Sequence, residues 1–295
     1  MKPQKQIEQT IENHSVEKHR ACGRTYRSLS SSAVESIARK HHIPPRQVEH
    51  LALSSNIIPE RYVRNFDTLS LEDQRSLLDA TVAVVGLGGL GGAVCELLAR
   101  VGVGRLILID GDCFEQSNLN RQLLATMPSL GQPKALEAAA RIRAINPSVE
   151  VIDHGDYLRE SNAMQWLEDS RVAVDCLDNL KDRFVLEKAA KGVQIPLVSA
   201  ALAGGFGQLT TIFPEDEGLS LVYGSADAVP EKGAEIHLGT LGCTAMVMAA
   251  LECAEVLKIL TGKGEPIRNR LLVMDLWNTR MEVLSLSASL TTVSV

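Results

Sequence analysis

A mostly parallel α/β sheet, doubly wound and finished by antiparallel C-terminal strands, is the fold class the sequence predicts. Three observations predict it. From residue 80 to residue 192, apolar strand-like runs alternate with helical patterns. Such alternation implies right-handed βαβ units and a parallel sheet covered on both faces. The first of these units carries GLGGLGG at 86–92 between a strand and a helix, and a second apolar run closes on Asp110. After residue 196 the alternation stops. Runs at 196–201 and 206–213 flank Ala203-Gly204-Gly205-Phe206-Gly207, and a last pair flanks Trp277-Asn278; both read as hairpins.

The elements follow in order. Residues 1–30 are polar, with Ser28–Ser32 as a soft linker. Ala33, Val34, Ile37 and Ala38, then Val48, Leu51 and Ala52, recur at helical spacing on either side of HHIPP at 41–45, which must break a helix. Residues 1–60 therefore read as a helical arm outside the main domain. A helix-turn-helix that touches nucleic acid is the competing account, but it lacks a third helix and a basic face. The main domain, 61–286, holds strands at 81–85, 105–110, 149–153, 171–176, 196–201, 206–213, 270–276 and 281–286. Its helices fall at 89–102, 132–145, 161–168, 180–192 and, long and apolar, 241–261. Residues 214–240 read as loop. The Ser/Thr-rich residues 287–295 read as a flexible tail.

Composition narrows the class. Hydrophobic residues make up 45% and charged residues 22%, ordinary for a globular chain. The net charge of −6 argues against a nucleic-acid-binding protein. Residues 1–60 carry 9 Lys+Arg against 6 Asp+Glu, and the rest 21 against 30, so the acid excess lies in the main domain. With no run of about 20 apolar residues, no membrane span is expected. The polar start is no secretory signal. The six cysteines form no CxxC pair and read as reduced thiols of a cytoplasmic protein. No tidy ligand spacing joins the histidines.

The glycine-rich turn implies a nucleotide site. Gly86 and Gly88 permit a tight turn and let main chain approach phosphate oxygens, Gly91 lets the helix lie against the sheet, and the helix start offers N–H groups to an anion. Asp110 falls where a carboxylate can accept from ribose hydroxyls. On this evidence NAD, FAD and ATP all remain open. More candidates emerge at the same sheet edge: Asn118 to Gln122 after the second strand, Lys134 opening a helix, and Asp175 to Asn179 ending the 171–176 strand, with Arg183 beyond. Two or three cations (Arg121, Lys134, Arg183) around one phosphate cradle suit a triphosphate better than a pyrophosphate bridge. Asp178 can hold Mg2+ alongside phosphate oxygens. No GxxxxGK[ST] occurs, which disfavours a P-loop enzyme.

Together these segments resemble the ubiquitin-activating-enzyme superfamily, nearest the MoeB/ThiF/HesA-type adenylyltransferases. The motifs are RYVRNF at 61–66, GLGGLGG at 86–92, GVGRLILIDGD at 102–112, SNLNRQ at 117–122, GQPK at 131–134, INP at 145–147, DCLDN at 175–179 and PLVSAA at 196–201. The resemblance implies a Rossmann-like domain that uses ATP and Mg2+ to activate the C-terminal glycine of a small ubiquitin-like sulfur-carrier protein ending in Gly-Gly. It assigns Asp110 to ribose, Arg121 and Lys134 to phosphates and Asp178 to Mg2+. It makes Arg64 a finger acting on the ATP of the opposite subunit of a homodimer. Gly86, Gly88, Gly89, Gly91, Asp110, Asp112, Asn118, Arg121, Gln122, Lys134, Asp178, Asn179 and Arg183 form the expected nucleotide-binding set. The chain departs from many relatives in lacking the paired CxxC of a zinc site, so no zinc is expected. It also lacks a cysteine at 214–241, which disfavours a covalent step there. Two other activities stay in view: ATP-dependent cyclisation of threonylcarbamoyladenosine in tRNA, and an NAD-linked oxidoreductase.

Overall fold

The computed structural model describes residues 2–20, 23–230 and 233–286. The tail expectation at 287–295 lies outside them, as does Cys22. Helix α1 (Lys2–His14), strands β1 (Val16–His19) and β2 (Thr25–Leu29), helices α2 (Ser31–His41) and α3 (Pro45–Ser54) and strand β3 (Ile57–Pro59) precede the main domain. A 3-10 turn, Glu60–Asn65, and helix α4 (Leu71–Leu78) lead into it. The main domain runs β4 (Thr81–Val85), α5 (Gly89–Val101), β5 (Arg105–Ile109), α6 (Lys134–Ile145), β6 (Glu150–His154), α7 (Ala163–Leu167), β7 (Val172–Asp175) and α8 (Leu180–Gly192). It ends with β8 (Leu197–Ala203), β9 (Phe206–Ile212), the short α9 (Ser220–Tyr223) and α10 (Glu235–Leu238), α11 (Gly242–Thr261), β10 (Arg270–Asp275) and β11 (Arg280–Ser285).

Eight strands form one sheet in the order β11-β10-β9-β8-β7-β4-β5-β6. Strands β8, β7, β4, β5 and β6 are parallel, and β9, β10 and β11 add antiparallel. This is the predicted architecture. Every residue of β4 is buried, as a parallel strand covered on both faces requires. Val82 and Val84 pack into the core shared by α5, α6 and α11, whereas Ala83 and Val85 face the core under α7 and α8. The chain steps outward from β4 through β5 to β6, then crosses back to lay β7 on the other side of β4. The strand order therefore reverses between β4 and β7, which opens a crevice at their carboxyl ends.

The N-terminal extension is not all helical. It holds a three-stranded sheet in which β1 pairs antiparallel and β3 parallel with β2. Its core is built from Ile11, Leu29, Val34, Ile37, Val48 and Ile57. The segment read as a linker is ordered: Ser28 is buried in β2, and Ser30 caps α2 by accepting from the Ala33 N–H at 3.2 Å. In α3, Val48 and Ala52 pack into the core of the extension, and Leu53 packs against Tyr62 and Leu78. Arg46 ties the extension to the amino ends of β5 and β6, donating to Gly104 O at 3.1 Å and Glu150 at 3.3 Å. That is the edge of the sheet away from the crevice. Among the described residues no helix is long and apolar enough to cross a membrane.

Candidate functional site

A cleft of about 1160 Å³ occupies the crevice. Its floor is the turn from β4 into α5. Gly86 takes φ +87°, and a Cβ there would lie 2.7 Å from the Cys176 carbonyl oxygen. A Cβ on Gly91 would lie 1.8 Å from the Gly86 carbonyl oxygen. Only glycine lets the first turn of α5 fold back on its own loop. The α5 N-cap is Gly88, and no side chain caps that turn. Its unpaired N–H groups and the positive end of the dipole remain available to an anion. Gly88 and Gly89 line the cleft with them.

Asp110 ends β5 beside this turn. Its carboxylate accepts from Leu87 N–H at 2.6 Å and Asp112 N–H at 2.8 Å, which binds the strand end to the glycine loop. Burial pushes its carboxyl above the usual carboxylate range, against the pull of Lys134. Lys134 is the first residue of α6, where a cation opposes the helix dipole. Two carboxylates compensate: its Nζ lies 2.8 Å from Asp112 and 3.9 Å from Asp110. Residues 112–114 pair with 131–134 through Phe114 N–H to Gln132 O and Lys134 N–H to Asp112 O, both at 2.9 Å. That pairing is what carries Lys134 to the cleft. Tyr157, just past β6, packs its ring on Gly111 and donates to Asp112 Oδ1 at 2.6 Å.

Arg121 and Gln122 form the opposite wall. Arg121 donates from Nη1 to Ser117 O and Asn120 Oδ1, both at 2.9 Å, and packs close to Gly89 and Gly242 at the starts of α5 and α11. Gln122 is 7% exposed and lines the cleft, yet its Oε1 has no hydrogen-bond partner among the described residues. A buried polar atom left unpaired costs about 1–3 kcal/mol, so a ligand group is the natural complement. Asp178 and Asn179 close the site from β7. Asn179 caps α8 by accepting from Lys181 N–H at 2.9 Å, which leaves Asp178 outside the helix and exposed at the rim. Among the described residues no three His, Cys, Asp or Glu side chains gather into a metal cage. One carboxylate beside a phosphate cradle nevertheless suits Mg2+, which is commonly held by one or two carboxylates plus substrate phosphates.

Towards β8 and β9 the cleft is lined by apolar side chains together with the hydrogen-bonded pair Gln208 and Tyr223. Leu202 and Phe206 come from β8 and β9, and Val229, Ile236 and Leu238 from the segment crossing over them.

Two sequence expectations change here, those for Arg183 and Asn118. Arg183 reads as a phosphate cation from the sequence; it does line the cleft, but it is 4% exposed and its guanidinium is bonded to Asp175, Ala200 O and Leu177 O. It braces the wall and is not a spare charge. Asn118 stays out of the cleft: its Oδ1 accepts from Glu115 N–H at 3.0 Å and caps a 3-10 turn. Arg64 is exposed on the turn whose next residue, Asn65, bonds the Val101 carbonyl at the far end of α5. Thirteen helical residues separate that end from Gly89, about 20 Å, so Arg64 does not serve the cleft of its own chain. Tyr157 escaped the sequence reading. It follows the 149–153 strand, and the rule that ligands gather at carboxyl strand ends points to it.

Comparison with known proteins agrees with this geometry. The ThiF family model matches residues 61–294. "Adenylyltransferase and sulfurtransferase MOCS3-1" of Zea mays is 33% identical over 242 residues, covering 78% of this chain and 50% of the relative. The chain thus spans about half the length of that relative. "SAMP-activating enzyme E1" of Haloferax volcanii is 35% identical over 228 residues, covering 76% of this chain and 83% of the relative. Among solved structures, E. coli MccB with ATP superposes with a TM-score of 0.60 at 22% identity, covering 88% of this chain and 83% of that one. At that identity the superposition supports the shared fold alone.

Proposed function

The chain belongs to the ThiF family, the MoeB/ThiF/HesA type of E1-like adenylyltransferase, and on that premise we propose that it adenylates the C-terminal glycine of a small ubiquitin-like sulfur-carrier protein. One observation carries the proposal: the cleft has two unlike ends. The end under the α5 N-terminus gathers Asp110, Arg121, Lys134 and Asp178. Towards β8 and β9 most of the lining is apolar, from Leu202, Phe206, Val229, Ile236 and Leu238, with Gln208 and Tyr223 among them. The cleft of about 1160 Å³ exceeds the usual range for one small ligand, roughly 300–1,000 Å³. A nucleotide fills the charged end and leaves room for an extended peptide tail.

The chemistry needs no strong base. A terminal carboxylate, with a pKa near ~3.5, is already ionised at neutral pH. Its oxygen attacks the α-phosphorus of ATP, the bond to the bridging oxygen breaks, and pyrophosphate leaves. Catalysis is then alignment and charge stabilisation. Asp110 accepts from the ribose hydroxyls, and the α5 N–H groups and Lys134 hold phosphate oxygens. Arg121 takes the charge that builds on the leaving pyrophosphate. Asp178 would hold Mg2+, which would supply neutralisation of the phosphate charge. Arg64 reaches the nucleotide of a second subunit, which makes the working unit a homodimer. Zinc has no part in this reading, and ATP consumption fits a cytoplasmic enzyme.

The test is pyrophosphate exchange. Full-length protein with ATP, Mg2+, labelled pyrophosphate and carriers ending in Gly-Gly is expected to return label to ATP, and removing the last glycine to stop it. A folded protein that prefers NADH to MgATP in calorimetry would overturn the reading. So would salt-sensitive tRNA binding coupled to ATP turnover without any carrier.

A further inference from the structure

Leu177, the residue that leads into Asp178, is held by both of its backbone polar groups. The Leu177 N–H donates to Asp175 Oδ1 at 3.1 Å, and the Leu177 carbonyl accepts from Arg183 Nη2. The two anchors hold each other, with Arg183 Nη1 2.9 Å from Asp175 Oδ2. Asp175 is fully buried and Arg183 4% exposed. Both are referred to the next strand: Ser199 Oγ donates to Asp175 Oδ2 at 2.6 Å, and Ala200 O accepts from Arg183 Nη1 at 2.7 Å. A buried ion pair is a weak route to stability, since apolar residues of similar volume do as well or better. What apolar residues cannot do is fix a carbonyl and an N–H of an irregular turn in one orientation.

We propose that the Asp175–Arg183 pair is a positioning device for Asp178, setting the direction in which its carboxylate leaves the end of β7. The inference rests on the reading of Asp178 as the residue that meets the nucleotide's Mg2+. Productive metal geometry tolerates displacements of only about 0.5 Å, and residues that support a ligand typically contribute 10–100-fold in metal affinity. Rotating the Leu177 peptide by a few tens of degrees would move the Asp178 carboxylate further than that. Arg183 lines the cleft, but its guanidinium is bonded to Asp175, Ala200 O and Leu177 O, so it is accordingly a positioning residue that acts on the site through the backbone.

The experiment compares ATP affinity with Mg2+ and with chelator, by calorimetry, in wild type, Asp178→Ala, the double variant Asp175→Asn/Arg183→Gln, and Ser199→Ala. The double variant exchanges the ion pair for an amide pair of similar shape. The expected result is that Mg2+ tightens ATP binding in wild type and no longer does so in Asp178→Ala. In the double variant that tightening falls roughly tenfold, while affinity in chelator stays within about twofold. Ser199→Ala shifts the ratio in the same direction by less. Without any ligand, the Leu177 amide exchanges hydrogen faster in both clamp variants while core strands keep their protection. A folded double variant with the wild-type Mg2+ ratio overturns the inference, as does an equal loss of affinity in both media. If the double variant fails to fold, Ser199→Ala decides: unchanged Leu177 exchange and an unchanged ratio overturn it. If Asp178→Ala itself retains the wild-type ratio, the metal reading fails and the inference goes with it.

Discussion

Lys134 and Asp112 meet at 2.8 Å at the mouth of the cleft, and the pairing explains why a lysine stands at the first residue of a helix. Asp112 holds the Lys134 ammonium at the edge of the cleft. A phosphate oxygen entering beside the α5 N-terminus can take over that contact without rebuilding the loop. Lys134→Met is therefore expected to lower kcat for pyrophosphate exchange by about 100-fold or more, the usual loss for one charge-stabilising donor. The same variant leaves Asp110 and Asp112 facing each other without a cation, so thermal stability at pH 7 should fall as well. Steady-state exchange kinetics check the first effect and a melting curve the second. Reduced stability with an unchanged kcat would make Lys134 a brace only.

Gly89 and Gly91, on either side of Leu90 in the turn into α5, should respond differently to one methyl group. At Gly91 the new Cβ would stand 1.8 Å from the Gly86 carbonyl, so the loop or the helix must move. At Gly89 the nearest atom is Ala245 Cβ at 3.4 Å, an ordinary contact. Gly91→Ala is expected to cost about 1–3 kcal/mol or more, as overpacking does, and to abolish ATP binding. Gly89→Ala is expected to fold at wild-type stability. Urea unfolding and a nucleotide-binding assay on the pair separate loop geometry from a general intolerance of side chains there.

The core of the fold was legible because its strands are buried on both faces and therefore read as unbroken apolar runs, as in Thr81–Val85 and Arg105–Ile109. In the extension the two helices either side of residues 42–44 were legible, but its strands were not. Strands β1 and β2 read VEKH and TYRSL and bury only Ser28 and Leu29 fully, so no apolar run or alternation marks them. Helix α4 had a signal that went unread: Ser70 and Asp73 form a reciprocal capping box, and their spacing is visible in the sequence. Arg183 could not have been sorted by sequence. An arginine one helical turn inside a ligand-bearing strand end looks the same whether it faces phosphate or a buried aspartate. Only the burial of Asp175 decides between them.

Arg64 and Arg121 give a test of the subunit arrangement. If Arg64 serves the partner's site and Arg121 its own, Arg64→Ala and Arg121→Ala homodimers should both be nearly inactive. Mixing them after unfolding and refolding together should restore about one quarter of wild-type activity, because half of the dimers pair unlike subunits and each then has one complete site. Exchange assays on the mixture and on each parent check it. No recovery from a mixture that demonstrably forms mixed dimers would show that Arg64 does not act in trans.

Glu49 supplies a pH dependence. It lies in α3 without solvent exposure, accepts from Tyr62 Oη at 3.1 Å and sits 3.2 Å from Arg61 Nε, where the extension meets the main domain. Burial dominates over the pull of Arg61 and raises its pKa from 4.5 to about 7. A carboxyl raised in the folded state binds its proton more tightly there than in the unfolded chain. Its contribution is fully present below pH 4.5 and is lost as pH rises towards about 7. Above that it stays lost, because both states are then ionised. The difference across this window is on the order of 3 kcal/mol at most. Glu49→Gln cannot ionise, so its stability relative to wild type should improve steadily from pH 4.5 to pH 7 and level off beyond. Urea midpoints of both proteins at half-unit intervals from pH 4 to pH 9 measure that difference. A flat difference across the window would mean that Arg61 holds Glu49 ionised throughout, and that the junction is a conventional buried ion pair.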